Sequence, residues 1–161
     1  MHVSASMTRN IYTITSEDSI AEAFDLMKET NVRHLPVVDP DEQLMGILSE
    51  RDLLLRANYD SASGEIDFPE LTVADAMVTD IVSCTPMTSI ADVAAIFVKE
   101  KIDCMPVLDS HSKLVGLITS SDILAIMGEV DGSGRKNALP FKFKLNARSG
   151  LEKSSKSRPW S

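Results

Sequence analysis

Two short stretches carry the residue types most able to do chemistry. Gly46-Ile47-Leu48-Ser49-Glu50-Arg51-Asp52 returns seventy residues later as Gly116-Leu117-Ile118-Thr119-Ser120-Ser121-Asp122. In both, a hydroxyl residue lies three positions before a carboxylate and three after a glycine. Ser49-x-x-Asp52 and Thr119-x-x-Asp122 are read in one of two ways. One is a helix N-cap with an acidic partner, which satisfies orphan amide donors and needs no ligand. The other starts from the glycine, because Gly inside a strand often marks close approach by another backbone or a ligand. A strand end that feeds a helix N-terminus is also a place where amide groups and the helix dipole receive phosphate.

The elements that position these residues are duplicated too. Apolar strands, Leu44–Leu48 and Leu114–Ile118, run into helices that open at Asp52-Leu53-Leu54 and Asp122-Ile123-Leu124. With one ungapped offset, Val3 matches Val73, Met7 matches Met77, Pro36-Val37 matches Pro106-Val107, and Asp39 matches Asp109. Each repeat reads as strand, helix, strand, turn, strand, helix. The first helix starts at Ser19, with Glu22 completing a capping box, and carries Ile20, Ala23, Phe24 and Met27 at helical spacing. Its twin starts at Ser89 with Asp92 and carries Ile90, Val93, Ala94 and Phe97. These stripes read as core. Leu35-Pro36-Val37-Val38 and Met105-Pro106-Val107-Leu108 read as short buried strands, and the Asp39 and Asp109 segments as the turns that follow.

The chain has 161 residues, 43% hydrophobic and 25% charged, which is ordinary globular material. Two halves of this size would each be marginal alone, so the repeats are expected to share a core and fold as one module. No apolar run approaches the ~20 residues that cross a bilayer, and the first residues lack a signal-peptide pattern, so a cytoplasmic protein without a membrane span is expected. Cys84 and Cys104 have no metal or redox spacing and read as buried free thiols; the three histidines suggest no zinc site. No nucleophile-histidine arrangement, phosphate loop or metal spacing supports an enzyme.

Residues 1–57 and 71–128 are taken as the two repeats, and 58–70 as a polar surface linker. Residues 129–161 are a basic tail. From Gly128 onward eight basic residues face three acidic ones, and the whole-chain charge of −8 leaves −13 on residues 1–127. The tail is read as a flexible appendage that either lies solvated over its own acidic body or acts as an arm for an anionic or protein partner. Within it, Leu139–Leu145 alternates apolar and basic residues, as an edge strand or a docking segment would.

The tandem pattern of Pro-Val-x-Asp and Gly-h-x-Ser/Thr-x-x-Asp, present in both copies over residues 3 to 127, resembles a pair of cystathionine-beta-synthase-type (CBS) domains, or Bateman module, of the small stand-alone bacterial kind. The resemblance implies an α+β fold of two β-α-β-β-α repeats packed about a pseudo-twofold axis, with two clefts between them. It implies clefts that bind AMP, ADP, ATP or S-adenosylmethionine as regulatory ligands, none of them an obligatory cofactor, and a flat homodimer. By resemblance, Asp52 and Asp122 take ribose hydroxyls, and Ser49 and Thr119 take ribose or phosphate. An ionised carboxylate accepts two hydroxyl donors at once, which suits that role.

The same resemblance places Met77, Asp80, Val82 and Ile102 opposite the Asp52 signature with its Ile47. Asn10, Tyr12 and Val32 then face the Asp122 signature, with Leu117 and Ser121. The residue three before the shared proline faces phosphate in the family; it is Arg33 in one copy and Asp103 in the other. Arg33 and Arg51, with His34 nearby, are therefore expected in the Asp52 cleft, making it the nucleotide site, unless they are exposed and pair with Glu50 or the acidic surface. Asp103 beside Thr119, Ser120 and Ser121 would leave the Asp122 cleft weak or empty. The expected function is an adenine-nucleotide-sensing regulator that modulates an unknown target protein. The alternative is a dimeric adaptor that binds no nucleotide and works through its dimer face and basic tail. Nucleic acid is not expected as a partner.

Overall fold

The computed structural model describes residues 1–130. The basic tail from 131 onward, including Leu139–Leu145, lies outside the described residues. A 3₁₀ turn, Val3–Ala5, precedes α1 (Ile20–Thr30), β1 (His34–Val38), β2 (Leu44–Ser49) and α2 (Glu50–Leu54). After β3 (Asn58–Tyr59) and β4 (Ile66–Asp67) come α3 (Val73–Ala76), α4 (Ile90–Glu100), β5 (Cys104–Leu108), β6 (Leu114–Thr119) and α5 (Ser120–Val130).

Local chemistry accounts for most of these boundaries. Glu22 N donates to Ser19 Oγ (3.1 Å) and Ser19 N to Glu22 Oε2 (2.9 Å), so α1 begins with the capping box read from sequence. Helices α1 and α4 stop at Asn31 and Lys101, both left-handed with φ 54° and 56°. Each hairpin turns on an aspartate. Asp39 Oδ1 accepts from Asp41 N and Gln43 N (2.9 and 2.8 Å), and Asp109 Oδ1 from His111 N and Lys113 N (2.8 and 3.0 Å). The amides of Lys113 and His111 hold the Asp109 carboxyl below its ordinary pKa. In the antiparallel hairpins Val37 lies opposite Gly46, and Val107 opposite Gly116.

The segment that leads into each repeat is exchanged. Val78 and Ile47 trade both backbone hydrogen bonds (2.9 and 3.0 Å), as do Thr8 and Leu117 (2.8 and 3.0 Å), so each hairpin is extended by the other repeat's lead-in. The chain then returns to its own hairpin, where Ile14 N donates to Pro36 O (3.1 Å) and Cys84 N to Pro106 O (3.0 Å). The opening strand expected in each repeat is reduced to these isolated bridges. Gly46 and Gly116 permit the crossing. A Cβ on Gly46 would stand 2.7 Å from Met77 Sδ and 3.0 Å from Val78 O; on Gly116 it would stand 2.8 Å from Met7 Sδ and 3.1 Å from Thr8 O. The close approach that the glycines signalled is thus by another backbone.

The shared core expected from repeat size is corrected to two clusters. One joins Ile20, Met27, Leu35, Leu48 and Leu53 to Val73 and Ala76 of the second lead-in. The other joins Val93, Phe97, Met105 and Ile118 to Val3 and Met7 of the first. Each small core is completed by a piece of its twin, which makes one module without merging the cores. The polar linker also carries structure: β3 pairs with β4, and Asp60 accepts from Ala62 N (2.8 Å) and Ser63 Oγ (2.9 Å). Phe68 then anchors the connection against Phe24, with ring centroids 4.9 Å apart. No helix among the described residues is long and apolar enough to cross a membrane.

Two outcomes are expected. Gly46→Val should cost about 1–3 kcal/mol in urea unfolding, while Gly128→Ala, whose Cβ meets nothing within 4 Å, should cost nothing; equal stability of the two variants would contradict the crossing. Cys84 and Cys104 are free and buried, and burial pushes their thiols from 9.0 up to about 11 and about 12, with Asp103 and Asp122 adding to the second. A raised thiol pKa favours folding below the unfolded value of 9.0 and loses that contribution as pH rises toward 12. Thiol labelling at pH 8 should therefore be slow until the protein unfolds, and Cys104→Ala should flatten the alkaline loss of stability. Rapid native-state labelling of both cysteines would contradict this.

Candidate functional site

The helix-cap reading of the two signatures holds in full. Asp52 Oδ2 accepts from Ser49 N (3.0 Å) and Ser49 Oγ (2.7 Å), and Asp52 N donates back to Ser49 Oγ (3.1 Å). Asp122 Oδ2 likewise accepts from Thr119 N and Thr119 Oγ1, both at 2.8 Å. The cap occupies a single oxygen. Among the described residues neither Oδ1 accepts a hydrogen bond, so each carboxylate keeps one face for something else.

The Asp52 face meets a cavity of about 250 Å³ between the repeats. From the first repeat it is lined by Ile47, Ser49, Arg51 and Asp52, and from the second by Asp80, Val82 and Ile102. With His34, which also lines it, eight of the residues read from sequence come together here. Met77 does not: its side chain packs over Gly46 and against the first core, and Val78 lines the cavity instead. Lys101 is a lining residue that the sequence reading missed. Its left-handed φ turns the chain at the end of α4 and delivers Lys101 and Ile102 to the cleft. Asn31, which has that backbone at the matching position, was the visible signal, because Asn is a common left-handed cap while Lys is not.

A second cavity, of about 200 Å³, lies on the other side of the pseudo-twofold. Asn10, Tyr12, Val32, Leu117, Thr119 and Ser121 line it. Asp122 is half-buried and is not among its lining residues. Thr8, which the sequence reading also missed, lines it through its bridge to Leu117.

The expected cations are divided between cavities. Arg33 lines the cavity beside Thr119, next to Val32, and is absent from the cavity beside Asp52. The reason is topological: Val32 and Arg33 after α1, and Ile102 after α4, enter the cleft opposite their own signature, while His34 and Asp103 line both. Arg51 and Lys101 are the cations beside Asp52, with Asp80 and Asp103 as acidic neighbours. Arg33, Arg51 and Lys101 meet along a wider groove of about 670 Å³ that also exposes Leu54 and Leu55. Neither arginine forms an ion pair among the described residues; Glu50 is held by Lys28 Nζ at 3.0 Å.

The pseudo-symmetry also breaks at a contact. His34 Nε2 donates to Asp103 Oδ1 at 3.0 Å, joining the first repeat to the second. The twin positions, Cys104 and Arg33, form no such pair among the described residues. No group of three His, Cys, Asp or Glu among the described residues is placed to hold a metal ion.

Comparison with known proteins bears on this architecture. The CBS domain family model matches twice, over residues 2–58 and 73–129. The CBS domain-containing protein YhcV of Bacillus subtilis is 31% identical over 121 residues, covering 75% of this chain and 81% of YhcV. The inosine-5'-monophosphate dehydrogenase of Nitrosopumilus maritimus is 36% identical over 117 residues, yet the chain spans only 22% of its length. Among solved structures, the CBS domain pair of MJ0100 in complex with 5'-methylthioadenosine and S-adenosyl-L-methionine superposes with a TM-score of 0.70 at 26% identity, over 81% of this chain and 98% of that one. CBSX2 in complex with AMP gives the same score, identity and coverage. With both repeats matched and the paired architecture reproduced, the chain belongs to the CBS domain family as a tandem CBS-domain protein.

Proposed function

We propose that this chain is a regulatory sensor of adenosine-containing ligands, and that the cleft beside Asp52 is its principal binding site. One observation carries the reading: Asp52 caps α2 with one oxygen and leaves the other free at an inter-repeat cavity that pairs apolar walls with two cations. Asp52 Oδ1 takes the ribose hydroxyls, Ile47, Val78, Val82 and Ile102 pack against the base, and Arg51 and Lys101 face the phosphate side. Ser49 is committed to the cap and contributes through it. The ligands named for MJ0100 and CBSX2, S-adenosylmethionine, 5'-methylthioadenosine and AMP, share the adenosyl group that such a site selects. The cleft of Asn10, Tyr12, Val32, Leu117, Thr119 and Ser121 is the secondary site, with Arg33 its cation and Asp122 set back in its cap. Met77 supports the first cleft from behind Gly46.

Binding bridges the repeats, so a ligand that prefers one arrangement shifts the population toward it and changes affinity for a target protein by linkage. The protein works without catalysis, in a reducing compartment such as the cytoplasm, which suits its two free cysteines. A second reading, a dimeric adaptor, is favoured by large apolar side chains exposed at the end of α2 and on α5: Leu55 at 76%, Leu124 at 70% and Met127 at 62%. We take these as the homodimer face, which serves either reading.

Calorimetric titration with AMP, ATP and S-adenosylmethionine separates the two. Asp52→Ala, which also removes a cap contribution of about 1 kcal/mol, should weaken binding at least tenfold while still melting cooperatively. Asp122→Ala should leave the tight phase in place, and bound ligand should slow Cys104 labelling. No heat from folded protein with any of the three ligands would sink the sensor reading and leave the adaptor.

A further inference from the structure

Among the positions where the two copies differ are Arg33-His34 against Asp103-Cys104, and there His34 of the first meets Asp103 of the second. His34 and Asp103 are also the two residues shared by three inter-repeat cavities: the one beside Asp52, the one beside Thr119, and the wide cationic groove between them. Asp103 is well exposed, with 64% of its side chain accessible, while His34 is 15% accessible and holds it from behind. Backbone pairing fixes the base of the gate, since Ser120 N donates to Asp103 O (2.9 Å) and Glu50 N to Arg33 O (2.8 Å).

We propose that Asp103, positioned by His34, is a charge gate that sets how strongly this chain discriminates against phosphorylated adenosine ligands. The proposal rests on the adenosine-binding reading above and names what distinguishes ligands within it. A base and ribose packed on Ile47 and Asp52 do not carry charge to Asp103. A 5'-phosphate directed toward Arg51 and Lys101 must share their field with an ionised carboxylate in the same wall. Like charges a few ångströms apart at a partly wetted surface change affinity by about tenfold, and a neutral ligand does not feel the effect. The His34 N–H bond engages one of the two Asp103 oxygens and holds the carboxylate at the junction of the cavities. Asp103 is therefore a specificity residue, and His34 its positioning residue.

The test compares a neutral ligand, adenosine, with the dianion AMP by calorimetry on the full chain at one ionic strength. Asp103→Asn keeps the size and the hydrogen-bonding reach of the side chain and removes its charge. It should tighten AMP about tenfold while changing adenosine less than about twofold. His34→Leu, which removes the anchor of the Asp103 carboxylate, should shift the AMP-to-adenosine ratio of affinities in the same direction as Asp103→Asn. Asp41→Asn, an exposed neutralisation in the β1–β2 turn that lines none of these three cavities, should move neither ligand. Unchanged AMP affinity in Asp103→Asn, or equal changes for AMP and adenosine, would overturn the gate and leave the nucleotide reading standing. Failure of adenosine and AMP alike to bind the parent protein and Asp103→Asn would overturn both.

Discussion

The structure depends on two backbone crossings, Val78 onto Ile47 and Thr8 onto Leu117, and each is possible because no side chain intervenes at Gly46 or Gly116. The crossings commit the lead-in of one repeat to the hairpin of the other, and the helical turns at Val3 and Val73 follow into the opposite cores. Neither repeat has a complete core without its twin, so the two fold as one unit even though their apolar clusters stay separate. The clefts are a by-product of this exchange. Each is walled by a signature from one repeat and by a lead-in and a post-helix turn from the other, so its shape reads the relative placement of the repeats.

That geometry places chemistry where it answers to conformation. The Asp52 carboxylate is rigid because Ser49 holds one of its oxygens, and a rigid acceptor loses little freedom when hydroxyl donors arrive. Arg51 and Lys101 come from different repeats and reach the same cavity, so an anion between them ties the repeats together. A ligand held by both halves acts on their arrangement in a way that a ligand held by one half cannot. The departure from symmetry at Asp103 and His34 gives the two clefts a common boundary, and gives the chain a basis for treating charged and uncharged ligands differently.

Much of this was legible in the sequence because it is local. Ser19 with Glu22, the Asp39 and Asp109 turns and the Pro-Val strands each state their own geometry within a few residues. The exchange of lead-ins was not readable from periodicity, since a uniform offset of seventy residues is unchanged when equivalent segments trade places; the family resemblance supplied it. Arg33 divides between two places, the cleft beside Thr119 and the wide groove that it shares with Ser49 and Arg51. It follows Val32 directly and enters the same cleft, whereas its expected position rested on the family's phosphate-facing residue three before the shared proline. Lys101 was missed because a left-handed lysine leaves no compositional mark, and Met77 was overassigned because a large apolar residue beside a cleft can equally fill the space over a glycine.

The most direct test of the account is a crystal structure of the full chain grown with AMP. The ribose hydroxyls should lie within hydrogen-bonding distance of the Asp52 carboxylate, the base against Ile47 and Ile102, and the phosphate on the side of Arg51 and Lys101. AMP seated instead against Arg9 and Lys113, which line a separate cavity of about 380 Å³, with the Asp52 cleft empty, would contradict it.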